Sequence, residues 1–176
     1  RFASDAELAE LRQTVRRLDP ERLATASFGG HDLAADEARA SLQTIGLDFL
    51  APHRPRNAPS PRETEGQTRA LRSTLRGLGC VAPILYQEPF RRGYTRWEPV
   101  AEDFLTDLRG AIAGGAAGWC FHHGEQRDAA EEEPRRGFDL RDRRLFDQLD
   151  EIELQVVRRA GEEVKGGRKP TPPRNP

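Results

Sequence analysis

The sequence contains no methionine, only two cysteines, and aromatic residues at just 7 %. It lacks an excess of either charge: 28 basic residues face 29 acidic ones. That balance argues against a nucleic-acid binder driven by counterion release and against binding to anionic membranes. No apolar run approaches the roughly 20 residues that span a bilayer, and the N-terminus shows no apolar core of a signal peptide. Cys80 and Cys120 match no zinc spacing, so the expectation is two buried, inert thiols. No glycine-rich phosphate loop follows any strand, which weakens a nucleotide-binding reading. A chain that opens on Arg1 without methionine is read as processed, or as the downstream piece of a longer polypeptide. What is present is 176 residues, 36 % apolar and 32 % charged, one domain's worth of a rather polar protein.

Periodicity organises that chain. Leu8, Leu11, Val15 and Leu18 recur at helical steps, with Ser4 and Glu7 as a capping box and Asp19-Pro20 as a stop. A short strand is expected from about Arg22 to Phe28, ended by Gly29-Gly30. A helix with Ala35, Ala38, Leu42 and Ile45 follows, closed by Gly46, and then the strand "LDFLAPH". After the proline- and arginine-rich "RPRNAPSPRE", Thr64 and Gln67 read as a second capping box, before Leu71, Leu75 and Leu78. The strand Val81 to Gln87 comes next, then a helix with Phe104, Leu108 and Ile112, then the strand "AAGWCFHHG". A last helix carries Leu145, Leu149, Ile152 and Val156. Residues 161–176, ending "KGGRKPTPPRNP", are expected to be a disordered basic tail.

Alternating β and α elements predict an α/β fold with a parallel sheet. In such folds the carboxyl ends of the strands form the binding face. All four histidines fall there: His31, His53, His122 and His123. So does Glu88, which closes the apolar run "APILYQEPF" just before Pro89, with Tyr94 and Trp97 in the loop beyond. Adjacent residues of an extended segment point to opposite sides, so only one of His122 and His123 can enter a given site. Taken singly, each has a plainer reading: a solvated loop acid for Glu88, a loop cap for His53, a core residue for Trp119, a solvated turn for Arg91 and Arg92.

The strand ends "APH", "LYQEPF" and "GWCFHHG" resemble the second half of a (β/α)8 glycoside hydrolase of the retaining, cellulase- and mannanase-like clan. The resemblance spans about Ala6 to Val157. It implies that residues 1–160 form the C-terminal half of a TIM-type barrel, strands five to eight. It further implies that Glu88 is the nucleophile, His53 the sixth-strand histidine and Trp119 the eighth-strand tryptophan. The first four strands and the acid/base motif of that clan are absent from this chain. Retaining glycosidases use two carboxyl groups about 5–5.5 Å apart, and the attacking one must stay ionised. His53, Arg91 and Tyr86 are candidates to support Glu88. Trp119, Trp97 and Tyr94 are candidate sugar platforms, and His31 and His122 complete the candidate substrate-binding set. No cofactor or metal is called for. The partners expected are a carbohydrate substrate and either the missing half-barrel or a second copy of the chain.

Two other readings compete. His31 and His53 after consecutive strands also fit a metal-dependent amidohydrolase-like barrel, although the fourth strand offers no aspartate. A half-barrel that binds carbohydrate or a partner without turnover is the other.

Overall fold

The structure, a computed structural model, describes residues 3–93, 97–120, 141 and 143–167. Helix α1 spans Asp5–Leu18. Its N-terminus is the capping box read from the sequence: the Ser4 hydroxyl accepts the Glu7 amide while Glu7 accepts the Ser4 amide. Helix α2, Ala35–Arg39, continues as a π-helical segment over Ala40–Ile45, and Gly46, at φ 80°, ends it in the left-handed conformation. Helix α3 is Ser60–Gly77, strand β1 Leu85–Tyr86, helix α4 Ala101–Gly114, strand β2 Gly118–Trp119 and helix α5 Glu151–Gly167.

The expected half-barrel of four βα repeats is not what forms. The molecule is mostly helical, and among the described residues the one sheet is the parallel pair β1–β2, with Leu85 opposite Gly118 and Tyr86 opposite Trp119. The other two expected strands are reduced to single-residue parallel bridges, Ser27 with Ala51 and Leu50 with Ile84. Prolines explain much of this. Pro52, Pro83 and Pro89 flank the paired positions and have no N–H to extend a ladder.

Two apolar clusters hold the helices on the sheet. Phe28, Ile45, Leu50, Leu71, Leu75, Ile84 and Tyr86 make the first. Phe90, Phe104, Leu105 and Val156 make the second, with Trp97 and Ile152 against it. Trp119 packs on both. Each fully buried large side chain here is worth about 1.5–3 kcal/mol of transfer free energy.

Helices α3 and α4 approach closely because α4 carries glycine where they cross. A Cβ at Gly110 would lie 3.0 Å from the Glu65 amide nitrogen, and one at Gly114 only 2.8 Å from Thr68 Cγ2. Three further readings shift. Thr64 lies inside α3 rather than capping it, because Pro61 is accommodated in the first turn. Leu145 is exposed in a separate 3-10 turn ahead of α5. Helix α5 continues past Ala160 to Gly167, into the stretch expected as tail.

Candidate functional site

The segment after Ala51 turns on one strained residue. Arg54 has φ 59°, the left-handed region that non-glycine residues rarely occupy. Its guanidinium is buried and compensates: Nε donates to Asp32 Oδ1 at 3.0 Å and Nη1 to Thr64 Oγ1 at 2.7 Å. With Arg54 turned inward, its neighbours His53 and Arg56 meet Glu88. Arg56 Nη2 lies 3.1 Å from Glu88 Oε2 and 3.3 Å from His53 Nδ1. His53 Nδ1 is 3.5 Å from the same Glu88 oxygen. On its other side, His53 Nε2 is 3.2 Å from Ser27 Oγ.

These distances assign the histidine tautomer. Arg56 can only donate, so His53 Nδ1 accepts and the ring proton sits on Nε2, which donates to Ser27. The two hydrogens of Arg56 Nη2 thus bridge His53 and Glu88. The order Ser27, His53, Glu88 is that of a serine-hydrolase relay, but there the ring takes the serine proton on the nitrogen that here carries one. Burial holds His53 below the ordinary imidazole range. Arg56 and His31 push the same way, and the opposing pull of Glu88 does not cancel them. His53 is therefore a neutral, 5 % exposed group at neutral pH. The Glu88 side chain stays 30 % exposed and open to a ligand.

Cys120 follows β2 and closes one side of the cluster. Its thiol donates to the Gln87 carbonyl at 2.7 Å, and its amide donates to the Tyr86 carbonyl at 3.0 Å. The residue is exposed rather than buried as expected. Its sulfur is nonetheless desolvated against these carbonyls, and this, with the Glu88 charge, raises the thiol pKa. Cys80 is half-buried.

The other candidates lie around this cluster. His31 is exposed and bonds Glu37 through Nε2 at 3.0 Å. Arg91 is buried. Trp97 stacks obliquely on Phe90, ring centres 5.0 Å apart. Tyr86 is buried, with its hydroxyl 2.8 Å from Thr68 Oγ1 on the side of the sheet that α3 covers. Trp119 is half-buried, and its indole N–H donates to Asp107 Oδ2 at 2.5 Å. Tyr94, His122 and His123 lie outside the described residues. Among the described residues, no three His, Cys, Asp or Glu side chains gather as metal ligands.

Sequence reasoning missed Ser27, Arg56 and Asp107. Arg56 had a signal, three residues after His53 in "HRPR". Asp107 had another: it shares the apolar face of α4 with Phe104, Leu108 and Ala111. No family model, no curated protein and no solved structure matches this chain.

Proposed function

We propose that the Glu88 cluster is the nucleophile side of a retaining glycoside-hydrolase site. The carrying observation is a partly exposed carboxylate two residues beyond β1 with a guanidinium at 3.1 Å and a neutral, buried imidazole at 3.5 Å. A carboxylate that attacks an anomeric carbon needs cationic or hydrogen-bonding neighbours that fix it without consuming it. Arg56 supplies the charge. His53, proton on Nε2 and anchored to Ser27, fixes Arg56 from the other side. The half-chain geometry expected from the resemblance does not enter this reading; it rests on the cluster alone.

In the reaction, Glu88 Oε attacks the anomeric carbon as the glycosidic C–O bond breaks, giving a glycosyl ester. Water then hydrolyses it. With an ordinary sugar leaving group, protonation is worth roughly 10²–10⁴ in rate, and in this reading the donor comes from outside this chain. The chain by itself should therefore be nearly inactive on natural glycosides.

A leaving group that needs no proton separates the two roles. Dinitrophenyl 2-deoxy-2-fluoroglycosides of gluco, manno, galacto and xylo configuration depart as the phenolate and trap the ester. Mass spectrometry of the digested protein should find one glycosyl group on the peptide carrying Glu88, and none in Glu88→Gln. No label at Glu88 with any of the four would overturn the assignment.

A further inference from the structure

Among the described residues, the most buried carboxylate is not in the Glu88 cluster. Asp107, on α4, is 1 % exposed and is gripped from two other elements. Thr64 of α3 donates to Oδ1, and Trp119 of β2 donates to Oδ2 at 2.5 Å. Behind Thr64 stands the buried Arg54 guanidinium, 2.7 Å from the threonine oxygen, and beyond it Asp32 and Glu63. From β1 the Tyr86 hydroxyl faces the same pocket of charge and is held by Thr68. On α5, the buried Glu153 carboxylate accepts the Asp150 amide.

The hydroxyl of Thr64 has two acceptors within reach, Asp107 Oδ1 and the Ser60 carbonyl at 3.0 Å, but one proton. Arg54 donates to its oxygen throughout. While Asp107 is ionised, the Thr64 proton points at it. When Asp107 takes up a proton, the carboxylic acid donates to Thr64 Oγ1, and Thr64 turns its own proton to Ser60. In both states Asp107 and the Thr64 hydroxyl keep their partners, so the network has two arrangements rather than one. What differs is the hold on the indole, because an N–H bond to a carboxylate is roughly twice as strong as one to a neutral acid.

We propose that Asp107 is a positioning residue for Trp119, gripping the indole as a carboxylate and loosening it as an acid. The consequence for the site rests on the Glu88 reading. Trp119 pairs with Tyr86, two residues before Glu88, and Cys120 bonds the Tyr86 and Gln87 carbonyls. Burial, only partly offset by Thr64, Trp119 and Arg54, raises Asp107 to about 6. The two arrangements therefore exchange near neutral pH.

Trp119 reports the exchange directly. With Trp97→Phe removing the other of the two tryptophans, the emission of Trp119 is followed from pH 4 to 8. A single transition centred near 6 is expected, retained in His53→Gln and lost in the near-isosteric Asp107→Asn. Thr64→Val keeps the carboxylate and removes a donor to its ionised form. It should move the midpoint up by about one unit. A transition that survives Asp107→Asn, or a midpoint that Thr64→Val leaves in place, overturns the proposal. The emission readout needs no turnover, so it stands or falls separately from the labelling of Glu88.

Discussion

Replacing Gly114 by alanine should destabilise the protein, although helix propensity alone argues the opposite. Alanine gains about 1 kcal/mol over glycine within a helix. The added methyl, however, would lie 2.8 Å from Thr68 Cγ2 and 3.0 Å from the Glu65 carbonyl, and nearer still to Thr68 Cβ. Cβ and carbonyl atoms belong to the frame of α3 and cannot rotate away. Thr68 is further pinned, its hydroxyl 2.6 Å from the Thr64 carbonyl and 2.8 Å from Tyr86 Oη. Relief requires α4 to back off from α3, which also loosens the contact at Gly110 and the Thr64–Asp107 bond. Overpacking of this kind costs about 1–3 kcal/mol, occasionally more. Set against the propensity gain, the expected net loss is up to about 2 kcal/mol in urea unfolding, seen as a lower midpoint at unchanged slope. Gly66→Ala is the internal control. That glycine lies on the exposed face of the same packed helix pair, and a Cβ there meets nothing within 4 Å, so it should gain about 0.5–1 kcal/mol. If Gly114→Ala gains as much stability as Gly66→Ala, the close approach of α3 and α4 is refuted.

Asp48 and Arg54 give two further tests. Burial pushes the Asp48 carboxyl up, but the Ala24 amide, Arg12 and Arg16 outweigh it and hold the group below its ordinary value. Its contribution is thus complete above the unfolded carboxylate pKa, about 4, and is lost as pH falls through the lower folded value. Asp48→Asn should cost about 1–3 kcal/mol at pH 7 and flatten the acid limb of stability between pH 2 and 5. An unchanged limb in urea titrations rules the ion pair out as its cause. At Arg54, alanine keeps the left-handed strain and loses the bonds to Asp32 and Thr64, whereas glycine loses the bonds but sheds the strain. Thermal unfolding should rank Arg54→Gly above Arg54→Ala by about 1 kcal/mol; equal stabilities would show the backbone there to be unstrained.

Local signals were legible where local chemistry decides. The Ser4–Glu7 box and the stop glycine Gly46 both mark true helix ends. The Thr64–Gln67 box failed because the same residue types serve a long-range partner: Thr64 meets Asp107, 43 positions away. The strand run Val81 to Gln87 shrank to two residues. Its apolar pattern records burial of Ile84 and Tyr86, not ladder pairing, and Val81 is fully exposed. At the site, His53 and Glu88 were placed together by reasoning on strand ends, and they do meet. Arg56 was out of reach because its role depends on the reversal at Arg54, which no propensity predicts.

The prolines that shorten the strands also matter when the chain is not folded. Ile84, Leu85 and Tyr86 form the most β-prone apolar stretch near the site, and in the native protein Ile84 and Tyr86 are only 2 % exposed. During synthesis or after thermal opening that stretch is bare, and uncharged β-prone runs of six or seven residues seed cross-β aggregates. Pro83 sits immediately before it and Glu88-Pro89 follow two residues after it. No uninterrupted window of that length is left for another chain to copy. The glutamate offered here as a nucleophile is also, in the unfolded chain, one of the gatekeepers that keep molecules apart.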